Sequence, residues 1–447
     1  MNYLETSKEL LEFIRKSASM FHTVDTVKSY LDAENFIELK EGESWNIEKG
    51  KNYYTTRNDS SVIAFKVGSD LSDYHYQLVA SHSDSPTFKV KSMPELKGPE
   101  DYVKLNVEVY GGPIDPVWFD KPLTLAGRVL VEEDGAIVSK LLNIDKDLLI
   151  IPNVAIHMNR DVNKGYEYNR QVDLLPLFTS GAMKMGDYNK MIAEELGVKE
   201  DQIISKDLFL VNRQEGKIWG YKDEFVSSPK LDDLECAFTS LKAFIAGSND
   251  KAVNVYCCFD NEEVGSNTKQ GAMSTLLHDT LKRLNASLGF EEEEYHKAVA
   301  KSFLVSADNA HAVHPNHKEL TDDENRTFMN KGIVIKEAAN QKYTSDAFSQ
   351  AVFKKICALA DVPIQHFANR SNMQGGSTLG NLSNTQVSLH AVDIGLPQLA
   401  MHSNYETAGA KDPAYMVKAL TKYYSTNIKI DGASKISIEW DLNSKFK

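Results

Sequence analysis

The sequence has no run of roughly 18 consecutive apolar residues, the length needed to cross a bilayer as a helix, so an integral membrane chain of helices is not expected. It has no excess of basic residues. The 63 acidic against 50 basic side chains give a formal net charge of -13, and no Lys/Arg stripe interrupts that balance, which argues against a dedicated nucleic-acid binder. Cysteine is scarce: Cys236, Cys257, Cys258 and Cys357 follow no repeated spacing, and neighbouring Cys257 and Cys258 on a strand would face opposite ways, so no disulfide framework is expected. The amino-terminal stretch carries Glu5, Lys8, Glu9 and Glu12 in an amphipathic pattern, with no secretory apolar core, and the expected location is the reducing cytoplasm. No H-E-x-x-H helix is present, which excludes a single-zinc zincin mechanism, and no G-x-S-x-G elbow points to a serine nucleophile. Internal repeats are absent as well.

What is there is a globular composition, 42% hydrophobic and 25% charged, in a chain of 447 residues, long enough for one large domain and a smaller one. Residues 4–35 carry the spacing of two helices broken near Ser19 and Phe21. From about Val103 to Pro176 the texture changes to short Val-rich runs, with Glu133, Asp134 and Gly135 forming a hairpin turn. Later segments alternate apolar strands with amphipathic helices, and the Glu run at 291–294 reads as a solvated helix end or loop. The expected fold is therefore α/β, a largely parallel central sheet flanked by helices, with an inserted, predominantly β domain. The boundaries predicted are 1–92 and 228–447 for the host and 93–227 for the insertion.

Polar residues fall where the apolar strands end. His82 follows QLVAS, Glu262 and Glu263 follow VNVYCCFDN, Asp308 follows FLVSA, and His402 follows QLAM. Open α/β sheets form their sites outside the carboxyl ends of strands, so these segments are candidates to meet in one cleft. Asp232, in LDDL before an apolar helix, adds a carboxylate with two oxygens able to bridge two cations. Taken singly, each has a bland reading: a structural histidine, a solvated Glu pair, a helix-capping aspartate. Taken together, they divide over two divalent metals, with His82, Asp232 and Asp308 on one and Asp232, Glu263 and His402 on the other. Imidazole and carboxylate donors suit Zn²⁺ best, with Co²⁺ or Mn²⁺ also accepted. Glu262 is then free to take a proton from the attacking water and return it to the leaving amine, and Asp84 is a candidate to orient His82.

With these residues identified, the chain resembles the aspartyl-aminopeptidase family of cocatalytic-zinc metallopeptidases. The matching stretches are SHSDSP (81–86), SPKLDDL (228–234), DNEEVGS (260–266), SADNAHAVHPN (306–316), GGSTLGN (375–381) and LPQLAMHSNYE (396–406), with family-like segments also near the amino terminus. The resemblance implies zinc ligands at His82, Asp232, Glu263, Asp308 and His402, a general acid/base at Glu262, and Asp84 in the supporting role. It further implies that the inserted domain mediates dimer contacts, that dimers assemble into a dodecamer, and that His157 reaches a neighbouring subunit's active site. Lys336 matches a basic residue that meets acidic substrate side chains, and Tyr343 lies in the same pocket segment. Asn372 stands where an aspartate is frequent and Gly375 where acidic-specific animal members have cysteine, so the implied preference is acidic or neutral. The expected reaction is removal of the amino-terminal residue from short peptides. The alternatives are a two-metal hydrolase of acylated amino acids or other amides, and a non-enzymatic scaffold that retains the fold.

Overall fold

The computed structural model of the chain describes residues 2–432 and 434–440. Its largest feature is a nine-stranded mixed sheet. In spatial order the strands are Ile37–Glu38, Asn52–Arg57, Ser61–Val67, Val253–Phe259, Tyr76–His82, Phe303–Ala307, His390–Gly395, Ile333–Glu337 and Ile364–Ala368. The four strands from Val253–Phe259 to His390–Gly395 run parallel, and antiparallel pairings occur on either side of them.

Helices cover both faces because the strands are apolar on both faces. Leu241 and Phe244 of helix Leu231–Ala246 pack with Leu10, Val27 and Leu420 against Val79, Tyr256 and Val305 on one side. Leu277, Leu281 and Leu284 of helix Leu276–Ser287 cover Leu78, Val255 and Leu304 on the other. Adjacent residues accordingly divide between the two cores: Cys258 joins the first and Cys257 the second, and both are free thiols. At the amino terminus the two expected helices are Tyr3–Lys16 and Met20–Ala33.

A second sheet has six antiparallel strands, in the order Ala136–Asn143, Leu123–Glu133, Ile203–Asn212, Thr87–Lys97, Tyr102–Tyr110 and Leu177–Ser180. It has its own core around Phe88, Leu125, Val129 and Trp118, sealed by Tyr188 and Ile192 of helix Asp187–Leu196. Glu133 pairs with Ala136 across Asp134 and Gly135, both at positive φ, as a two-residue hairpin turn requires. The strands Lys217–Trp219 and Phe225–Ser228 leave this sheet. They enter a five-stranded one with Glu406–Gly409, Pro397–Leu399 and Ala310–His311. Among the described residues no helix is long and apolar enough to cross a membrane.

Candidate metal centre

The parallel register places the ends of three neighbouring strands side by side. Phe259 pairs with His82 and Ser306 with Ala80, so His82, the turn at 261–264 and Asp308 emerge at one edge. Asp232 reaches the same point from the start of helix Leu231–Ala246. His402 comes from outside the main sheet. The QLAM strand before it is Pro397–Leu399 of the five-stranded sheet, which folds over the edge and turns back with Ala400 and His402 at positive φ.

These side chains meet. Potential ligand atoms of His82, Asp232, Asp233 and Asp308 all lie within 4.8 Å of one another, as do those of Asp232, Glu263 and His402, and those of His82, Glu262 and Glu263. Asp232 stands between the two histidines. Its Oδ1 lies 3.5 Å from His82 Nε2, and its Oδ2 lies 3.5 Å from His402 Nε2, which is also 3.3 Å from Glu263 Oε2. Glu262 Oε2 approaches His82 Nε2 to 4.0 Å.

The opposite ring nitrogens are both engaged. His82 Nδ1 lies 3.1 Å from the Asp84 carbonyl oxygen, and His402 Nδ1 lies 3.0 Å from the Gly112 carbonyl oxygen. A carbonyl can only accept, so each Nδ1 donates and Nε2 is the nitrogen turned to the cluster, the one left to serve a metal. The Asp84 carboxylate also accepts the backbone N–H groups of Glu262 at 3.1 Å and Glu263 at 3.2 Å, which fixes the turn carrying both glutamates.

The electrostatics call for cations. Burial, reinforced by Asp308, Asp84 and Asp232 and opposed by His82, pushes Glu262 up to about 8. Burial and Asp232 drive Glu263 well above the usual carboxylate range, and burial also raises Asp308. For Asp232 burial opposes ionisation, but His82 and His402 pull it below its ordinary value. Among the described residues, Asp232 Oδ1 and Glu263 Oε1 are buried with no hydrogen-bond partner. Orphaned carboxylate oxygens facing two imidazole nitrogens form a donor set that fits divalent metal, zinc in particular.

Beside the cluster opens a cavity of about 290 Å³ lined in part by Glu262, Asp308, Lys336, Tyr343 and His402. Lys336 is buried at its wall, donating to the carbonyls of Asp308 at 2.7 Å and Asn309 at 3.1 Å, with its ammonium 5.3 Å from the Tyr343 ring centroid. Burial opposes its charge, yet Asp308 and Tyr343 hold it above the usual lysine range. His157 is not brought here by the single chain; it is exposed in the turn at 156–158.

Asp233 and Glu406 are among the groups that the sequence pattern does not single out. Asp233 joins the cluster with Oδ2 accepting the His82 N–H at 3.0 Å. Glu406, buried, accepts the Asp232 N–H on Oε2 at 3.0 Å and the His402 N–H on Oε1 at 2.8 Å, tying two candidate ligands together. Its place in LPQLAMHSNYE, four residues after His402, was the available signal.

Comparison with known proteins agrees with this geometry. Residues 13–424 match the family described as Aminopeptidase I zinc metalloprotease (M18). The chain is 49% identical over 430 residues to a probable M18 family aminopeptidase 2 of Clostridium novyi (strain NT), covering 95% of this chain and 99% of that one. It is similar to a chain in the cryo-EM structure of the Ape4 and Nbr1 complex, with a TM-score of 0.90 and 35% identity over 94% of this chain and 85% of that one. It is also similar to the S. cerevisiae mApe1 dodecamer structure, with a TM-score of 0.83 and 26% identity over 95% of this chain and 97% of that one. The fold, the cluster of donors and the matches along the whole chain agree: this protein belongs to the M18, or aspartyl-aminopeptidase, family of zinc metallopeptidases.

Proposed function

We propose that the protein removes acidic or neutral amino-terminal residues from short peptides, using two divalent cations, zinc in the first place, and Glu262 as general base and acid. The observation that carries this reading is the Asp232 carboxylate, whose two oxygens face different imidazole nitrogens while Glu262 stands beside them, 4.0 Å from His82 Nε2. His82, Asp232 and Asp308 would hold one ion and Asp232, Glu263 and His402 the other. Two such ions supply Lewis acidity at the scissile carbonyl and an acidified attacking water. Glu262 accepts the proton of that water and delivers it to the leaving amine. Asp84 keeps Glu262 and Glu263 in register through their backbone N–H groups.

Lys336 spends two of its three donors on backbone carbonyls, leaving one N–H to meet a substrate carboxylate, and Tyr343 forms the adjoining wall. Residues 93–227 serve as the dimerisation domain, and His157 completes the active site of a neighbouring subunit. Support for this assembly is the dodecameric state of the mApe1 relative and the exposed apolar side chains Ile137, Val154, Ile156 and Met158 around that region. The free buried cysteines fit a cytoplasmic setting.

The test is Glu262→Gln, assayed on aminoacyl-p-nitroanilides with zinc content measured in the same sample. The expected result is unchanged zinc and a fall in kcat of roughly 10²–10⁴-fold, the usual worth of a general base. Full activity in the loaded variant would remove Glu262 from the mechanism. Equal cleavage of N-acetylated and free peptides would replace the aminopeptidase reading with a general amide hydrolase.

A further inference from the structure

The strand Tyr102–Tyr110 of the six-stranded sheet ends against the metal centre, and the residues there make successive contacts with its parts. The Tyr110 hydroxyl donates to Asp84 Oδ2 at 2.8 Å and accepts from Asn261 Nδ2 at 2.8 Å. It therefore braces both the carboxylate that holds the Glu262–Glu263 turn and the residue that begins it. Gly111 follows at φ +74°, and a Cβ there would lie 3.1 Å from Glu263 Cβ and 3.4 Å from its carbonyl oxygen. The positive φ and the close approach both favour glycine. Gly112 offers its carbonyl to His402 Nδ1, and Ile114 N–H donates to the His402 carbonyl at 3.0 Å. The Tyr110 ring is anchored edge-on against Phe209 of the same sheet, with centroids 5.6 Å apart.

We propose that Tyr110, Gly111 and Gly112 form a positioning element through which the six-stranded sheet sets the geometry of the peptidase centre. The sheet reaches both sides of that centre: Tyr110 holds the Glu262–Glu263 turn through Asp84, and Gly112 holds the His402 ring. The inference rests on the two-cation reading, with Glu263 and His402 as ligands. It gives the inserted sheet a part in catalysis that is separate from any part in assembly, because each contact lies within one chain.

The decisive variant is Tyr110→Phe, which keeps the ring on Phe209 and deletes the hydroxyl. Asp84 Oδ2 then retains the Glu263 N–H as its partner, while Asn261 Nδ2 loses its acceptor. Three quantities are read on the full-length protein: zinc affinity by competition with a chromogenic chelator, kcat and KM on an aminoacyl-p-nitroanilide, and melting temperature with and without zinc. The expected result is a loss of roughly 10–100-fold in zinc affinity, in kcat, or in both, the size typical when the support of a metal ligand is removed. KM should stay within about twofold, and the zinc-loaded melting temperature should fall by more than the metal-free one. Gly111→Ala should do more harm in the same assays, and Tyr102→Phe, exposed at the far end of the same strand, should do none. Wild-type zinc affinity together with wild-type kcat in Tyr110→Phe would overturn the proposal. An equal drop in the metal-free and zinc-loaded melting temperatures with kcat intact would do the same, since that is the signature of packing alone. Glu263→Ala separates the layers: if it keeps full zinc and full activity, the two-cation reading falls and this inference with it. If it loses zinc while Tyr110→Phe is unaffected, only this inference falls.

Discussion

Replacing Glu406 by glutamine isolates one contact between the candidate ligands. Glu406 Oε1 receives two donors, the His402 N–H at 2.8 Å and Gln398 Nε2 at 3.4 Å, whereas Oε2 receives the Asp232 N–H at 3.0 Å. An amide side chain keeps its oxygen where two donors converge and turns its NH₂ toward Asp232, so one hydrogen bond becomes a donor facing a donor. Leaving a buried donor unmatched costs about 1–3 kcal/mol. If that cost is felt only in the metal-competent arrangement, zinc affinity or kcat/KM falls about 5–150-fold at 1.4 kcal/mol per factor of ten. The volume is unchanged, so no cavity term confuses the result. The assay is zinc competition paired with kcat/KM on peptide nitroanilides. Zinc affinity and kcat/KM both within about twofold of wild type, well below that range, would refute the idea that Glu406 holds Asp232 in place.

Stripping metal with 1,10-phenanthroline should abolish turnover and lower the melting temperature, and Zn²⁺, Co²⁺ or Mn²⁺ should restore both; turnover persisting after verified zinc removal would sink the two-cation reading. Lys336→Met should lower kcat/KM for Asp and Glu substrates more than for Leu or Met substrates, and an unaltered side-chain profile would take Lys336 out of specificity. Phe244→Ala, fully buried against Phe36, Tyr256 and Tyr424, should cost about 3–5 kcal/mol in guanidinium unfolding, and a cost under about 1 kcal/mol would show that the core collapses to fill the site. Burial opposes the charge of Asp207, but Lys89 and Arg128 hold its carboxyl below the usual range. A depressed folded-state value adds stability above the unfolded value of about 3.9 that is lost as pH falls through the folded one. The stability gap between wild type and Asp207→Asn should thus be present at neutral pH and close in acid, and a gap that persists in acid would contradict it.

Local signals were legible wherever a periodic pattern met a sharp break. The two amino-terminal helices, the hairpin at Asp134 and Gly135, and the opposite facing of Cys257 and Cys258 all follow from spacing over fewer than 20 residues. His82, Glu262, Glu263 and Asp308 could be singled out because a polar group directly after a buried strand is conspicuous. Lys336 was legible as a basic residue at a strand end, but its burial and its two carbonyl partners were not. Glu406 and Tyr110–Gly112 were passed over because their partners are remote in sequence: Glu406 binds the Asp232 N–H across 174 residues, and Gly112 meets His402 across 290.

The sequence by itself determined the alternation of strands and helices, the candidate metal-binding residues, and the family. These are carried by residue type and short-range spacing, which burial on one or two faces imposes directly. Only the tertiary structure decided that His402 arrives on a separate five-stranded sheet, that Asp232 stands between two imidazoles, and that a β-sheet ending in Tyr110 closes against the site. Such contacts depend on how sheets pack and register across hundreds of residues, and no local pattern encodes that distance.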